Sequence, residues 1–147
     1  MWMLIPLIML LMCLSGYTVH IQQQAANAQA DAEAAITGDR MRIYLNAVQH
    51  YARVHPDFNG TVDESALALP SWFLKSWNMG HVLASSRVYV YRTAAPPGLI
   101  GYLSESMTDD LIRVGINRRG VLVGPDSSGR TDTLPSRIPE GSVVIAS

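Results

Sequence analysis

From Met1 to Ala30 the chain carries no Lys, Arg, Asp or Glu, and its first stretch, MWMLIPLIMLLMCLSGYTV, is apolar almost throughout. As a helix rising about 1.5 Å per residue, Met1 to Val19 would span about 28 Å, close to the hydrocarbon thickness of a bilayer. Residues 1–20 therefore predict a single transmembrane anchor. Leu4, Ile5, Leu7, Ile8, Leu10, Leu11 and Leu14 supply its apolar surface, with Trp2 and Tyr17 near the two interfaces, where amphipathic rings are favoured. Pro6 is tolerable near the first turn, where backbone N–H groups have few helical partners.

Past the anchor the pattern turns polar without losing helix formers. Gln22 to Ile36, QQQAANAQADAEAAI, contains no Gly or Pro, so the helix should continue into water as a solvated stalk. Thr37-Gly38-Asp39 interrupts it, and Asp39 could cap a fresh turn, so residues 21–38 read as stalk and break. A new helix follows. Met41, Tyr44, Leu45, Val48, Tyr51 and Ala52 recur at i, i+3, i+4, i+7, i+10 and i+11, while Arg42, Asn46, Gln49 and Arg53 fall on other faces. Such a stripe buries one side of a helix. His55-Pro56 ends it, because a residue before proline is pushed out of the helical region.

Beyond Pro56, short apolar bursts alternate with turn residues. Asp57-Phe58-Asn59-Gly60 is a turn, and Val62 to Trp77 is a mixed segment interrupted by Pro70. Val88 to Tyr91 predicts a strand, ended by Pro96-Pro97-Gly98; Leu99 to Leu103 and Leu111 to Ile116 predict two more. Asn117-Arg118-Arg119-Gly120 is a hairpin turn into Val121 to Val123. A loop over 124–132 leads to Leu134, and Val143 to Ile145 is the last strand. An amphipathic helix laid on a small antiparallel sheet buries both apolar faces. The predicted class is α+β, with the folded domain over 39–147.

Eleven basic against twelve acidic residues leave no broad positive field, so nucleic acid is not an expected partner. Cys13 is the only cysteine, which excludes an intrachain disulfide and any multi-cysteine metal site. His20, His50, His55 and His81 show no ligand spacing and read as surface residues. No nucleophile elbow, P-loop or dinucleotide fingerprint occurs. The loop Pro125 to Asp132 has several oxygens, but lacks the later bidentate Glu of a calcium loop and places Arg130 among the donors. Asp109 and Asp110, being adjacent, diverge. No catalytic, metal or cofactor site is expected, and no enzyme. Trp72, Phe73 and Trp77 form a concentrated aromatic group: core packing is the default, and a partner surface is the alternative, since Trp is favoured at binding hot spots.

The N-terminus admits other fates. A cleavable signal would open with a basic segment, and Lys and Arg are absent before Arg40. Acylation of Cys13 would need a small residue before it, and Met12 is large. A membrane anchor fits the residues better than either.

Taken in order, Tyr44-Leu45-Asn46-Ala47-Val48, Tyr51, His55-Pro56, Gly60-Thr61-Val62, Leu67-Ala68-Leu69-Pro70, Val88-Tyr89-Val90-Tyr91 and Leu134-Pro135-Ser136-Arg137-Ile138-Pro139-Glu140-Gly141-Ser142-Val143-Val144 resemble the PilM family of plasmid-borne type IVB pilus systems. This is the small membrane-associated PilM of conjugative thin pili, and the likeness covers essentially the whole chain. It implies a non-enzymatic component of pilus biogenesis, single-pass in the inner membrane, with its C-terminal domain in the periplasm and the pilus serving mating-pair formation. Implied partners are other pilus assembly components or pilin, with self-association left open. Ordinary prepilins carry a basic leader, a Gly before the cleavage point and a Glu soon after it. Here Gly16 is followed by Tyr17-Thr18-Val19-His20-Ile21. A minor pilin built into the fibre is the alternative, and a secreted or lipidated envelope binding protein a further one.

Overall fold

A computed structural model describes residues 4–107, 109–125 and 132–147, with helix side chains described from residue 22 onward. The side chains of the expected anchor, Trp2 to Tyr17, lie outside the described residues, as does most of the loop from Asp126 to Thr131. Among the described residues no helix is long and apolar enough to cross a membrane.

One helix, α1, runs without interruption through Leu4–Val54. At about 1.5 Å per residue it is about 77 Å long. Residues 22–29 are exposed, as the stalk reading expects, and the first buried position is Ala34. From there Thr37, Gly38, Met41, Tyr44, Leu45, Ala47 and Val48 are buried on one side, with Tyr51 and Ala52 packed at its end. The expected stripe is present and begins two turns earlier.

The break at Thr37-Gly38-Asp39 is absent, and a second helix explains why. Leu99 to Leu103, which the sequence pattern predicts as a strand, instead lies in a helix, α2 (Leu99–Ser106). Gly98 enters it in a left-handed conformation (φ 81°), and Leu99 and Leu103 then fall one helical turn apart and are both buried. Helix α2 packs on α1 at Gly38, where an added Cβ would lie 2.5 Å from the Tyr102 ring. The Tyr102 hydroxyl donates to Asp39 Oδ1 at 2.9 Å. The tripeptide is therefore a docking place for α2, and the tertiary contact outweighs glycine's poor helix propensity of about 1 kcal/mol.

The sheet comprises β1 (Met79–Ala84), β2 (Arg87–Arg92), β3 (Arg113–Arg118), β4 (Val121–Val123), β5 (Asp132–Thr133) and β6 (Val143–Ala146). Its order is β1-β2-β6-β3-β4-β5, antiparallel throughout. The C-terminal strand is thus central. Alternation along each strand divides the core. Val88, Val90, Val143 and Ile145 face the cluster that includes α1 and α2; Val82, Tyr89, Val144 and Ala146 join Leu122, Leu134 and Ile138 in a second cluster.

Two tight hairpins set the register. In β3–β4, Arg119 and Gly120 have φ of 54° and 78°, and Arg118 pairs with Val121, as a two-residue mirror-image turn requires. The β1–β2 turn uses Ser85 and Ser86, with φ of 53° and 62°. Serine is an unusual occupant of that region, and the Asn59 side chain steadies it by accepting the Ser85 N–H at 3.1 Å. Asn117, buried in β3, donates to the carbonyls of Ile138 and Pro139 at 2.8 and 3.1 Å and accepts from the Gly120 N–H at 2.9 Å. One side chain joins the hairpin to the segment entering β6.

Candidate functional site

The aromatic segment 72–77 lies between a short 3-10 turn at Glu64–Ala66 and β1. Pro70 accepts the Phe73 N–H and Ser76 accepts the Met79 N–H, so the loop is closed at both ends by the backbone. Within it the side chains divide. Phe73 turns inward and stacks on Tyr44, with ring centroids 6.0 Å apart and planes at 8°. Trp72 is 67%, Leu74 80% and Trp77 93% exposed. The core reading therefore holds for Phe73 and fails for Trp72 and Trp77. Pinning the loop through Phe73 leaves its neighbours no interior to enter. Three large apolar side chains at that exposure on one short loop form an exposed apolar patch. Leu74 belongs to it, although no local pattern groups it with the tryptophans.

Beneath the loop lies a polar network. On β1, Met79, His81 and Leu83 alternate onto the helix side, so His81 is buried and the surface reading fails for it. Its Nε2 accepts the Val62 N–H at 2.9 Å. That leaves Nδ1 as the protonated nitrogen of a neutral ring, donating to the Tyr44 hydroxyl at 2.7 Å. Burial pushes the His81 pKa down to about 4, and nearby Lys75 adds to the effect. Burial also raises Tyr44. Lys75 Nζ pairs with Glu64 Oε1 at 2.5 Å and lies 5.5 Å from the centre of the Tyr44 ring. Partial burial works against the Lys75 charge, but its bonds to Glu64 and Tyr44 outweigh this and its pKa is raised.

With Tyr44 and His81 nearly inaccessible, and both His81 nitrogens committed, the network holds β1, the 62–66 segment and the aromatic loop against α1. It offers no open position to a reactant. Among the described residues, no three His, Cys, Asp or Glu side chains converge as metal ligands.

A groove of about 460 Å³ opens beside this region, lined by His50, Tyr51, Val54, His55, Ala66 and Ala68. Tyr51 stacks on His55 at 4.3 Å and meets Phe58 edge-on at 5.7 Å. His50 and His55 are exposed, as expected.

The PilM family model matches residues 8–146. The fold is similar to the crystal structure of a PilM protein from Escherichia coli B7A, with TM-score 0.60 and 28% identity, covering 81% of this chain and 94% of that one. It is also similar to a PilM protein from Pseudomonas aeruginosa 2192, with TM-score 0.52 and 30% identity, covering 77% and 92%. No curated protein matches.

Proposed function

The chain belongs to the PilM family and so is a pilus-related protein, and from that premise we propose that it is an inner-membrane assembly factor that couples the membrane to periplasmic pilus machinery by contact alone. The observation that carries the reading is the continuity of α1 through Leu4–Val54. One rigid element joins the charge-free N-terminal segment to the domain core. A displacement of the domain would be transmitted along the helix because Met41, Tyr44, Leu45 and Val48 lock its far end into the sheet.

The domain faces the periplasm, and the pilus serves conjugative mating. The buried network supports a contact role, since its titratable groups are consumed in packing. The test is complementation of a strain lacking the gene. Residues 22–147 exported behind a cleavable signal should resist protease yet fail to restore pili, whereas the same residues behind an unrelated membrane helix should restore them at least partly. Full rescue by the soluble form defeats the anchored reading. Normal pili and normal transfer in liquid in the deletion strain defeat the pilus assignment.

A further inference from the structure

The exposed loop and the apolar groove are neighbours. The loop rests on Tyr44 through Phe73; the groove is walled by Tyr51, which lies on the same stripe of α1, about two helical turns or roughly 10 Å further along. Its other wall, Ala66 and Ala68, lies in the segment leading into the loop. A projecting aromatic group and an apolar hollow thus occupy one side of the domain, and no described residue fills either. Neither carries an uncompensated charge in the way of contact: Lys75, the cation within the loop, is paired with Glu64.

We propose that these features receive each other in a second copy of this chain, as a two-fold pair in which the loop of each copy seats Trp77 in the groove of the other. The area decides between one such contact and two. An aromatic side chain buries about 150–250 Å², so Trp72, Leu74 and Trp77 at their observed exposures offer roughly 450 Å² of apolar surface. A partner surface loses a comparable area, so one loop-to-groove contact removes about 900 Å², below the roughly 1,200–2,000 Å² of a stable interface. Two contacts related by a two-fold axis remove about 1,800 Å², inside that range. Because loop and groove are adjacent, a two-fold axis between them makes both contacts at once, as a self-complementary interface requires. A bilayer would cover the tryptophans but leave the groove unfilled, whereas a second copy satisfies both.

The experiment uses the full chain in a Cys13→Ser background, in native membranes and in detergent. Two differently tagged copies are co-expressed, one with Trp77→Cys and the other with Ala68→Cys, and then oxidised. Ala68, Trp72, Trp77 and Arg118 are all exposed, so these substitutions do not put the fold at risk. The expected result is a disulfide-linked species carrying both tags as the main product, lost when Arg118→Cys, at the exposed end of β3, replaces Ala68→Cys. Light scattering should give two chains per micelle, falling to one in the Trp72→Ser/Trp77→Ser variant. One chain per micelle in the unmodified protein overturns the proposal, as does equal cross-linking to Arg118→Cys. In a Trp2→Phe/Trp72→Phe background, where Trp77 is the remaining tryptophan, quenching of its fluorescence by brominated lipid in vesicles overturns the proposal in favour of a bilayer contact.

Discussion

His81 joins β1 to α1 in its neutral form only, so mild acid should loosen the domain through this one ring. The folded protein holds its pKa at about 4, mainly through burial, against 6.5 in an unperturbed chain. Between those values the unfolded chain binds the proton and the folded chain resists it. Stability is therefore complete above pH 6.5 and falls as the pH drops towards 4. The full effect is about 3 kcal/mol, of which about 2 kcal/mol is lost between about pH 7.5 and about pH 5. For a chain of this size, that lowers the melting temperature by about 4–8 °C. Glu64 opposes the shift weakly and Lys75 reinforces it. The assay is near-ultraviolet circular dichroism of the full chain in non-ionic detergent, melted at both pH values and compared with His81→Gln. The variant should melt lower at neutral pH, since Gln is not shaped to serve both Val62 and Tyr44. It should then lose about 2 kcal/mol less on acidification. An equal pH-dependent drop in both proteins, or a His81 proton resonance titrating near 6.5, would refute the reasoning.

Gly38→Ala should destabilise by about 1–3 kcal/mol through overpacking against Tyr102, although alanine is the better helix former; chemical denaturation should show the loss, and Tyr102→Ala in the same chain should relieve it. Val48→Asp places a carboxylate where no partner is available, at a cost of several kcal/mol, comparable with the stability of a whole domain, whereas exposed Asn46→Asp should be mild; limited proteolysis distinguishes them, and equal resistance would refute the helix-face assignment. Asn117→Ala removes the side-chain donor to the Ile138 carbonyl and the acceptor of the Gly120 N–H, while the Pro139 carbonyl keeps its bonds from Ser142, and should cost about 1–3 kcal/mol, with hydrogen exchange rising first around residues 138–142.

Much of the fold was legible because periodicity reports burial directly. The stripe from Met41 to Ala52, the strands at 88–91 and 143–145 and the Arg119-Gly120 turn all follow from local pattern. The misreadings share a cause in long-range contact. Gly38 looked like an interruption because the residue that needs it absent of side chain, Tyr102, lies far along the chain. Strand β1 was hidden because its turn is Ser85-Ser86, which lacks the Gly or Asn that marks a mirror-image turn. Missing β1 concealed the parity of Met79, His81 and Leu83, and with it the burial of His81. Leu99 and Leu103 suit a helix or a strand, and only α1 as a neighbour decides between them. Strand β3 begins at Arg113, two residues beyond the expected Leu111, because no residue there marks a boundary. The aromatic segment was visible as a group, but its division into inward Phe73 and outward Trp72 and Trp77 depends on the position of Tyr44. Gln49 is another such case: its Nε2 donates to Ser147 Oγ at 2.9 Å, a contact with the other end of the chain.

Transmission along one uninterrupted helix is the core of the proposed role, and pilus assembly by a chain with a flexible segment in α1 tests it most directly. Residues 25–29 lie in the solvated part of the helix, before the first buried position, so replacing them with Gly and Ser leaves the domain's packing unchanged. The variant should remain with the membrane fraction at normal abundance and resist protease, yet assemble few pili and transfer poorly in liquid. Normal pilus numbers and normal liquid transfer from that variant would contradict rigid coupling, reducing α1 to a tether.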